Sequence, residues 1–343
     1  MEHDNRTVVN YDKQYRATTL KIGIAMLVFF GLINILSTVA VTVGVVWEEM
    51  FGASVLSYTV TEVLSMIAYI VSFLLPAFLL KCWLKKGVTE YQPMQTRWHV
   101  TKYAPLLIVA AIALNFAAAY MNNYLVTLLL PSQTMDMSML TESATEPYQL
   151  ALMLVSIAVI PAIVEEILFR GVILTNLMPY GRGVAILGSA ILFGLMHGNI
   201  LQFLYTTMMG VVLGFIYVRT KSIWCGILIH FVNNGISVLQ EALLALLKYD
   251  LAIRLCSVIE LTVMIVGAIS VAVLLLVHRK RKKPEDQGSF GVVFEPDLEY
   301  ASRPITKTKR LRPFFSPTMI VFLVLSCVSM LSTALMLMIM GAM

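Results

Sequence analysis

Nine long apolar runs are the feature of this sequence that most restricts its fold. Each run is 14 to 29 residues long, and polar or charged residues separate it from the next one. The runs cover residues 22–47, 56–80, 104–130, 150–178, 184–197, 200–218, 223–247, 255–277 and 314–340. A helix needs about 20 apolar residues to cross a bilayer, whereas a membrane strand needs only about 9–11. These lengths predict an all-α polytopic membrane protein with about nine transmembrane helices.

The composition excludes two other classes of protein. Of the 343 residues, 59% are hydrophobic and 13% are charged, whereas soluble domains are about 45–50% apolar and about 25% charged. A soluble globular enzyme and a disordered chain are therefore both excluded. The cysteines are scattered and form no CxxC pair, so neither a disulfide framework nor a thiolate metal site is expected. They are Cys82, Cys225, Cys256 and Cys327.

The positions of the basic residues predict the orientation of the chain, because positively charged loops stay in the cytoplasm. With the N-terminus inside, cytoplasmic segments hold 23 of the 25 lysines and arginines. Only Lys248 and Arg254 then lie outside, and the C-terminus is also outside. The net charge of +5 thus reflects topology in a multi-pass protein of the cell membrane, and no nucleic-acid partner is expected.

The runs and loops divide the chain into six predicted segments. A cytoplasmic tail and three helices are followed by a core of four helices, an eighth helix, a basic cytoplasmic linker and a last helix. The linker is expected to be solvated, with a basic edge beside anionic lipid headgroups. These segments are 1–21, 22–147, 148–247, 248–277, 278–313 and 314–343.

Polar residues between 164 and 234 interrupt the apolar pattern. Ionisable groups inside membrane segments are costly and are candidates for function. Glu165 lies 13 residues before a predicted reversal at 179–183, and His197 lies 14 residues after it. At 1.5 Å per residue both would be about 20 Å from that turn. His230 and Asn234 lie in the apolar run 223–247 and would be about 12 and 18 Å deep. These two side chains, Glu165 and His197 are therefore expected at similar depths.

Helical spacing predicts how these side chains face. Glu166 and Arg170 are four residues apart, which places them on one face as an ion pair, while Glu165 points about 100° away. His230 and Asn234 also share a face. A reversal at 198–199 falls deep in the membrane, where irregular backbone is tolerated only if it is buried in protein or lines a watery cavity. A hydrated chamber beside His197 is therefore expected.

This set of groups fits the hydrolysis of a peptide bond. A carboxylate and an imidazole can remove a proton from water and deliver hydroxide to a carbonyl. A second imidazole and a carboxamide can donate hydrogen bonds to the resulting oxyanion. Glu165, His197 and His230 could instead hold a zinc ion, since carboxylate and imidazole are zinc ligands. No HExxH motif is present, so the sequence does not require a metal.

Three motifs carry a resemblance to a known family. They are EExxxR at Glu165, Glu166 and Arg170, FxxxH at Phe193 and His197, and HxxxN at His230 and Asn234. In order and spacing they resemble the CPBP family of CAAX-processing and bacteriocin-processing intramembrane proteases, also called the Abi family, over residues 150–240.

The resemblance implies an endopeptidase that acts on a peptide or a lipidated peptide in the bilayer. Enzymes of the Ras-converting type in this family cleave behind a prenylated cysteine, and bacterial relatives have other substrates. The resemblance also implies that Glu165 and His197 activate water while His230 and Asn234 hold the oxyanion. Family members are commonly called metalloproteases, so a divalent metal such as zinc is a possible cofactor.

Other interpretations predict less specific roles. Glu166 and Arg170 are expected to be structural, and Phe193 is expected to orient His197 by packing. The rival function is a non-catalytic membrane immunity factor or regulator that retains the family core. A transporter is disfavoured because the sequence shows no internal repeat. Structural roles are expected for the remaining polar residues of the spans, namely Glu62, Asn115, Asn122, Asn123, Gln240, Glu241 and Glu260.

Overall fold

The computed structural model describes residues 2–52, 55–85, 93–96, 103–129, 146–280 and 312–342. Within them the chain forms helices and no β-strand, with one isolated antiparallel bridge between Thr96 and Ser222. The all-α fold is thereby confirmed. The helices are α1 Glu2–Phe51, α2 Val55–Lys85, α3 Ala104–Leu129, α4 Pro147–Tyr180, α5 Arg182–Met196, α6 Ile200–Thr220, α7 Ile223–Leu246, α8 Tyr249–Lys280 and α9 Pro317–Ala342.

Eight helices of this described part are long and apolar enough to cross a membrane. The chain is therefore a multi-pass membrane protein, as the apolar runs predicted. The exception is α5, whose 15 residues span only about 22 Å, less than the roughly 30 Å of a hydrocarbon core. Its apolar run was already the shortest of the nine, because the reversal at Gly198 ends it early.

The N-terminal segment, which the sequence predicts to be a cytoplasmic tail, is helical. The helix α1 starts at Glu2 and runs without interruption into the first apolar run. This continuity has a local cause, since residues 2–21 contain neither the glycine nor the proline that would interrupt a helix. Most residues between the third and fourth apolar runs, and most of the linker predicted at 278–313, lie outside the described residues. The cytoplasmic position of the N-terminus stays a prediction.

The chain divides into two compact units. The first consists of residues 1–94, 163–185 and 302–326, and the second of residues 95–162, 186–301 and 327–343. The helix α4 therefore contributes residues to both units, and so does α9.

In the first unit α1 packs along α2. The rings of Phe29 and Phe73 lie 4.8 Å apart. The end of α4 is held against α1 by Tyr180, whose ring stacks on Tyr15 at 4.3 Å and whose hydroxyl lies 2.8 Å from the Thr18 hydroxyl. These contacts fix the segment that carries Glu165, Glu166 and Arg170.

In the second unit small residues allow close approach of helices. A Cβ atom added to Gly267 of α8 would lie 2.1 Å from the Cβ of Ala113 in α3. A Cβ atom added to Gly210 of α6 would lie 2.9 Å from the Cα of Ala190 in α5. Small residues at such crossings increase van der Waals packing, which drives helix association in membranes.

The contact at Gly267 predicts a specific loss of stability. The Gly267→Ala variant is expected to lose about 1–3 kcal/mol of unfolding free energy, because the added methyl overpacks the contact with Ala113. The matched variant is Gly31→Ala, where an added Cβ meets no atom within 4 Å and a neutral or slightly stabilising effect is expected. Thermal unfolding in detergent measures both. Equal effects of the two substitutions would contradict the close approach.

Candidate active site

The helix α4 is widened on both sides of its two glutamates. It is π-helical over Leu154–Val159 and again over Ile167–Leu174. Glu165 and Glu166 end the α-helical stretch Ile160–Glu166 between them. π-helical turns occur frequently at functional sites. The sequence reasoning assumed an ordinary α-helix here and did not anticipate either π-helical stretch.

The first π-helical stretch has a local cause in Pro161. Proline has no backbone N–H, so it cannot donate to the carbonyl of Ile157 four residues earlier. The side-chain amide of Asn234 in α7 donates to this carbonyl at 2.8 Å. Asn234, a predicted site residue, thus satisfies a backbone acceptor that the proline leaves without its α-helical partner.

Asn234 is the last member of a relay of three amides in the second unit. Asn115 of α3 donates to the Oδ1 atom of Asn233 at 2.7 Å, and Asn233 donates to the Oδ1 atom of Asn234 at 3.2 Å. The relay fixes which end of the Asn234 amide faces Ile157. The sequence analysis treated Asn115 as structural and missed Asn233, although its position beside Asn234 on an apolar helix was a usable signal.

The second π-helical stretch is satisfied by buried polar side chains that follow it. The hydroxyl of Thr175 donates to the carbonyl of Arg170 at 2.7 Å. The amide of Asn176 donates to the carbonyl of Val172 at 2.9 Å. Both side chains therefore supply donors to carbonyls in the part of α4 where the regular α-helical pattern is lost.

The ion pair expected from the spacing of Glu166 and Arg170 is present. The Nη1 atom of Arg170 lies 2.5 Å from the Oε1 atom of Glu166, and the side chains are 1% and 0% exposed, respectively. Two charges buried this completely depend strongly on each other. The geometry agrees with a structural role for the pair, which stays a prediction.

Glu165 lies in the same turn and has a different partner. It is buried, and its Oε1 atom accepts a hydrogen bond from the hydroxyl of Tyr69 in α2. The ring of Tyr69 packs against Phe73 with the centroids 4.6 Å apart. No spacing rule connects Tyr69 to Glu165, which is 96 positions away in the sequence, so the sequence analysis missed it.

In the second unit Phe193 contacts both predicted histidines. Its ring meets His197 edge-on at 5.3 Å and His230 edge-on at 5.9 Å. The carbonyl of Phe193 also lies 2.9 Å from the Nδ1 atom of His197. Because a carbonyl oxygen can only accept, Nδ1 carries the proton, and Nε2 is the basic nitrogen of the neutral ring. The FxxxH spacing therefore sets both the orientation and the tautomer of His197.

The chain reverses directly after His197, as the sequence predicted. Gly198 has a φ of +60°, a conformation that favours glycine, and Asn199 caps α6 by accepting from the N–H of Leu201 at 2.8 Å. Hydroxyls of α9 satisfy the carbonyl of Gly198, with Thr333 donating at 3.2 Å and Ser329 at 3.4 Å. This reversal is thus held by a helix far away in the sequence.

The predicted site residues belong to both units. Glu165, Glu166 and Arg170 are together in the first unit, and Phe193, His197, His230 and Asn234 are together in the second. The shared depth of the two groups and the hydrated chamber stay predictions. Within the described part of the chain, no three His, Cys, Asp or Glu side chains are grouped as a metal ion would require, so the zinc ligands also stay a prediction.

Comparison with known proteins shows that this region is similar to peptidases. Residues 147–236 match the family model described as "Type II CAAX prenyl endopeptidase Rce1-like". A Bacillus subtilis (strain 168) protein described as "Putative membrane peptidase YdiL" is 33% identical over 96 residues, which are 26% of this chain and 37% of that protein. The chain thus matches just over a third of this curated relative's length. No solved structure gives a significant match.

The family resemblance indicated by the motifs is confirmed for this segment. The family model describes an endopeptidase and the relative is described as a membrane peptidase. The matched range includes every residue of the three motifs, namely Glu165, Glu166, Arg170, Phe193, His197, His230 and Asn234.

The buried ion pair predicts that its two partners depend on each other. The Arg170→Met variant is expected to lose about 3–5 kcal/mol of stability, because it leaves the carboxylate of Glu166 buried without its cation. A second substitution, Glu166→Leu, is expected to recover most of this loss. The control substitution is Arg219→Met. It also removes an arginine, but one that is partly exposed and whose guanidinium lies 4.9 Å over the ring of Phe215. Thermal unfolding that shows no recovery in the double variant would contradict the pairing.

The carbonyl of Ile157 predicts a coupling between Pro161 and Asn234. Replacement of Pro161 by alanine restores a backbone N–H for this carbonyl, so Asn234→Ala is expected to cost about 1 kcal/mol less in the Pro161→Ala background than in the wild type. A double-mutant cycle of unfolding measurements gives the coupling. Asn123→Ala is the control and is expected to cost the same in both backgrounds. A coupling of zero for Asn234 would contradict the link.

Proposed function

We propose that this chain is an intramembrane peptidase that hydrolyses a peptide bond with water activated by Glu165 and His197. The observation that carries the proposal is that one segment, residues 147–236, both matches the Rce1-like family model and contains every group that the chemistry needs. The buried position of Glu165 and the defined tautomer of His197 support it further.

The reaction begins with the removal of a proton from water. Glu165 and the Nε2 atom of His197 act as the bases, and the hydroxide formed attacks the carbonyl carbon of the peptide bond. The C–N bond then breaks as the intermediate collapses, and the proton taken from water is delivered to the leaving amine. The products are a new carboxyl terminus and a new amino terminus.

The carbonyl oxygen becomes negatively charged in the intermediate and needs hydrogen-bond donors. His230 and Asn234 provide them in the proposed mechanism. A carboxamide has two N–H bonds, and the contact with Ile157 at 2.8 Å uses one of them. The amide relay from Asn115 through Asn233 holds the group in place, so that the second N–H is presented to the oxyanion without reorganisation.

Zinc is a possible cofactor of the same residues. Glu165, His197 and His230 would be its ligands, because carboxylate and imidazole groups bind zinc. A bound divalent ion would supply a Lewis acid that polarises the carbonyl or the water. The steps assigned above to the protein side chains do not depend on it.

The proposed substrate is a peptide or a lipidated peptide that reaches the enzyme from the bilayer. The family model describes prenyl endopeptidases, and a prenylated CAAX peptide is therefore one substrate to test. Short lipopeptides, pheromone precursors and bacteriocin leaders are also peptides or lipidated peptides, and they are further substrates to test. The rival function is a non-catalytic regulator that retains the family core. Substitution of the proposed bases distinguishes this regulator from a peptidase.

Substitution of the two proposed bases is expected to abolish cleavage. In purified protein, Glu165→Ala and His197→Ala should each lower kcat/KM at least about 100-fold, since acid–base groups contribute typically 10²–10⁴-fold. Glu260→Gln is the matched control, because Glu260 is a carboxylate on a predicted membrane helix outside residues 147–236.

Substrates are found by comparing membrane-bound peptides from cells with wild-type protein and with Glu165→Ala.

The outcomes separate the two functions. Near wild-type cleavage by either variant would contradict the mechanism. A cellular phenotype that Glu165→Ala restores fully would favour the regulator. Loss of activity on chelation, with recovery on addition of zinc, would support the metal-bound form of the same site.

A further inference from the structure

Tyr69 is a contact of Glu165 that comes from outside the family-matched segment. It lies in α2, and its hydroxyl donates to the Oε1 atom of Glu165 in α4 within the first unit. The residues matched by the family model begin only at 147. The similarity to known peptidases therefore says nothing about this hydrogen bond.

The ring of Tyr69 is itself held in place. Phe73, one turn later in α2, lies 4.6 Å from it, and the ring of Phe29 in α1 lies 4.8 Å from Phe73. Phe29 and Phe73 are fully buried, at 2% and 1% exposure. An aromatic side chain has only two rotatable χ angles, so this packing leaves the hydroxyl of Tyr69 little freedom to move.

A glutamate side chain, in contrast, has three rotatable χ angles and many possible orientations. The ion pair with Arg170 holds the neighbouring carboxylate of Glu166. A hydrogen bond from Tyr69 to one oxygen restricts the position of the Glu165 carboxylate. A carboxylate has about four acceptor positions, so a carboxylate held in this way keeps the capacity to accept a proton from water.

We propose that Tyr69 is a positioning residue, which orients the carboxylate of Glu165 toward the attacking water. This inference rests on the proposed function, because it gives Glu165 the role of a base. Misplacement of a reacting group by about 1 Å can cost 10²-fold in rate, so orientation of the base contributes to kcat. Because this role concerns the base and not the substrate, the loss of Tyr69 is expected to lower kcat and to leave KM nearly unchanged.

The test is Tyr69→Phe, which removes the hydroxyl and keeps the ring. We expect kcat to fall about 10-fold to 100-fold, KM to stay within about twofold and the thermal unfolding midpoint to stay close to that of the wild type. Incorporation of p-aminophenylalanine at position 69 restores an N–H donor at the same point of the ring. This variant is expected to recover most of kcat.

A second tyrosine–glutamate pair provides the matched control. The hydroxyl of Tyr120 in α3 donates to the Oε2 atom of Glu260 in α8, within the second unit. Tyr120→Phe therefore removes the same kind of hydrogen bond from a glutamate without a proposed catalytic role. We expect its kcat to equal that of the wild type.

The results distinguish this inference from the proposed function. If Glu165→Ala is inactive and Tyr69→Phe has wild-type kcat, the positioning role is wrong and the proposed function stands. If Glu165→Ala is active, the mechanism itself is wrong. A fall in stability and kcat together that p-aminophenylalanine does not reverse would assign Tyr69 a structural role and overturn the inference.

Discussion

A backbone polar group that faces lipid must find its hydrogen-bond partner within the protein, because the hydrocarbon offers none. Pro161 shows how far this constraint extends. Its missing N–H leaves the Ile157 carbonyl without an α-helical partner, and an amide from α7 takes the place of that donor. Thr175 and Asn176 similarly satisfy carbonyls of the second π-helical stretch. The irregular backbone of α4 and the polar residues of its neighbours therefore depend on each other.

The features that could be predicted from the sequence are those set by spacing along one helix. Residues four apart share a face, so the pair of Glu166 with Arg170 followed directly from EExxxR. The same spacing places the carbonyl of Phe193 beside the ring of His197. The reversal at 198–199 was predictable because glycine readily adopts a positive φ and asparagine is a preferred N-cap. The all-helical membrane fold followed from the length of the apolar runs alone.

The features that could not be predicted depend on contacts between distant parts of the chain. Tyr69 reaches Glu165 across 96 positions, and Ser329 and Thr333 reach Gly198 across more than 130. The depth of Glu165 was also calculated for an α-helix, whereas eight residues between it and the reversal are π-helical. A π-helical turn contains more residues than an α-helical one, so 1.5 Å per residue overestimates that depth. The spacing of residues along one helix carries no information about contacts with distant residues or about π-helical turns.

Helices outside the matched segment consequently hold groups that belong to the three motifs or lie directly beside them. The carboxylate of Glu165 is held from α2, the amide of Asn234 is held through Asn233 from α3, and the turn after His197 is held from α9. Each of these three partners lies outside residues 147–236. The three motifs supply the side chains of the proposed site, whereas donors from the flanking helices contribute to the orientation of these side chains.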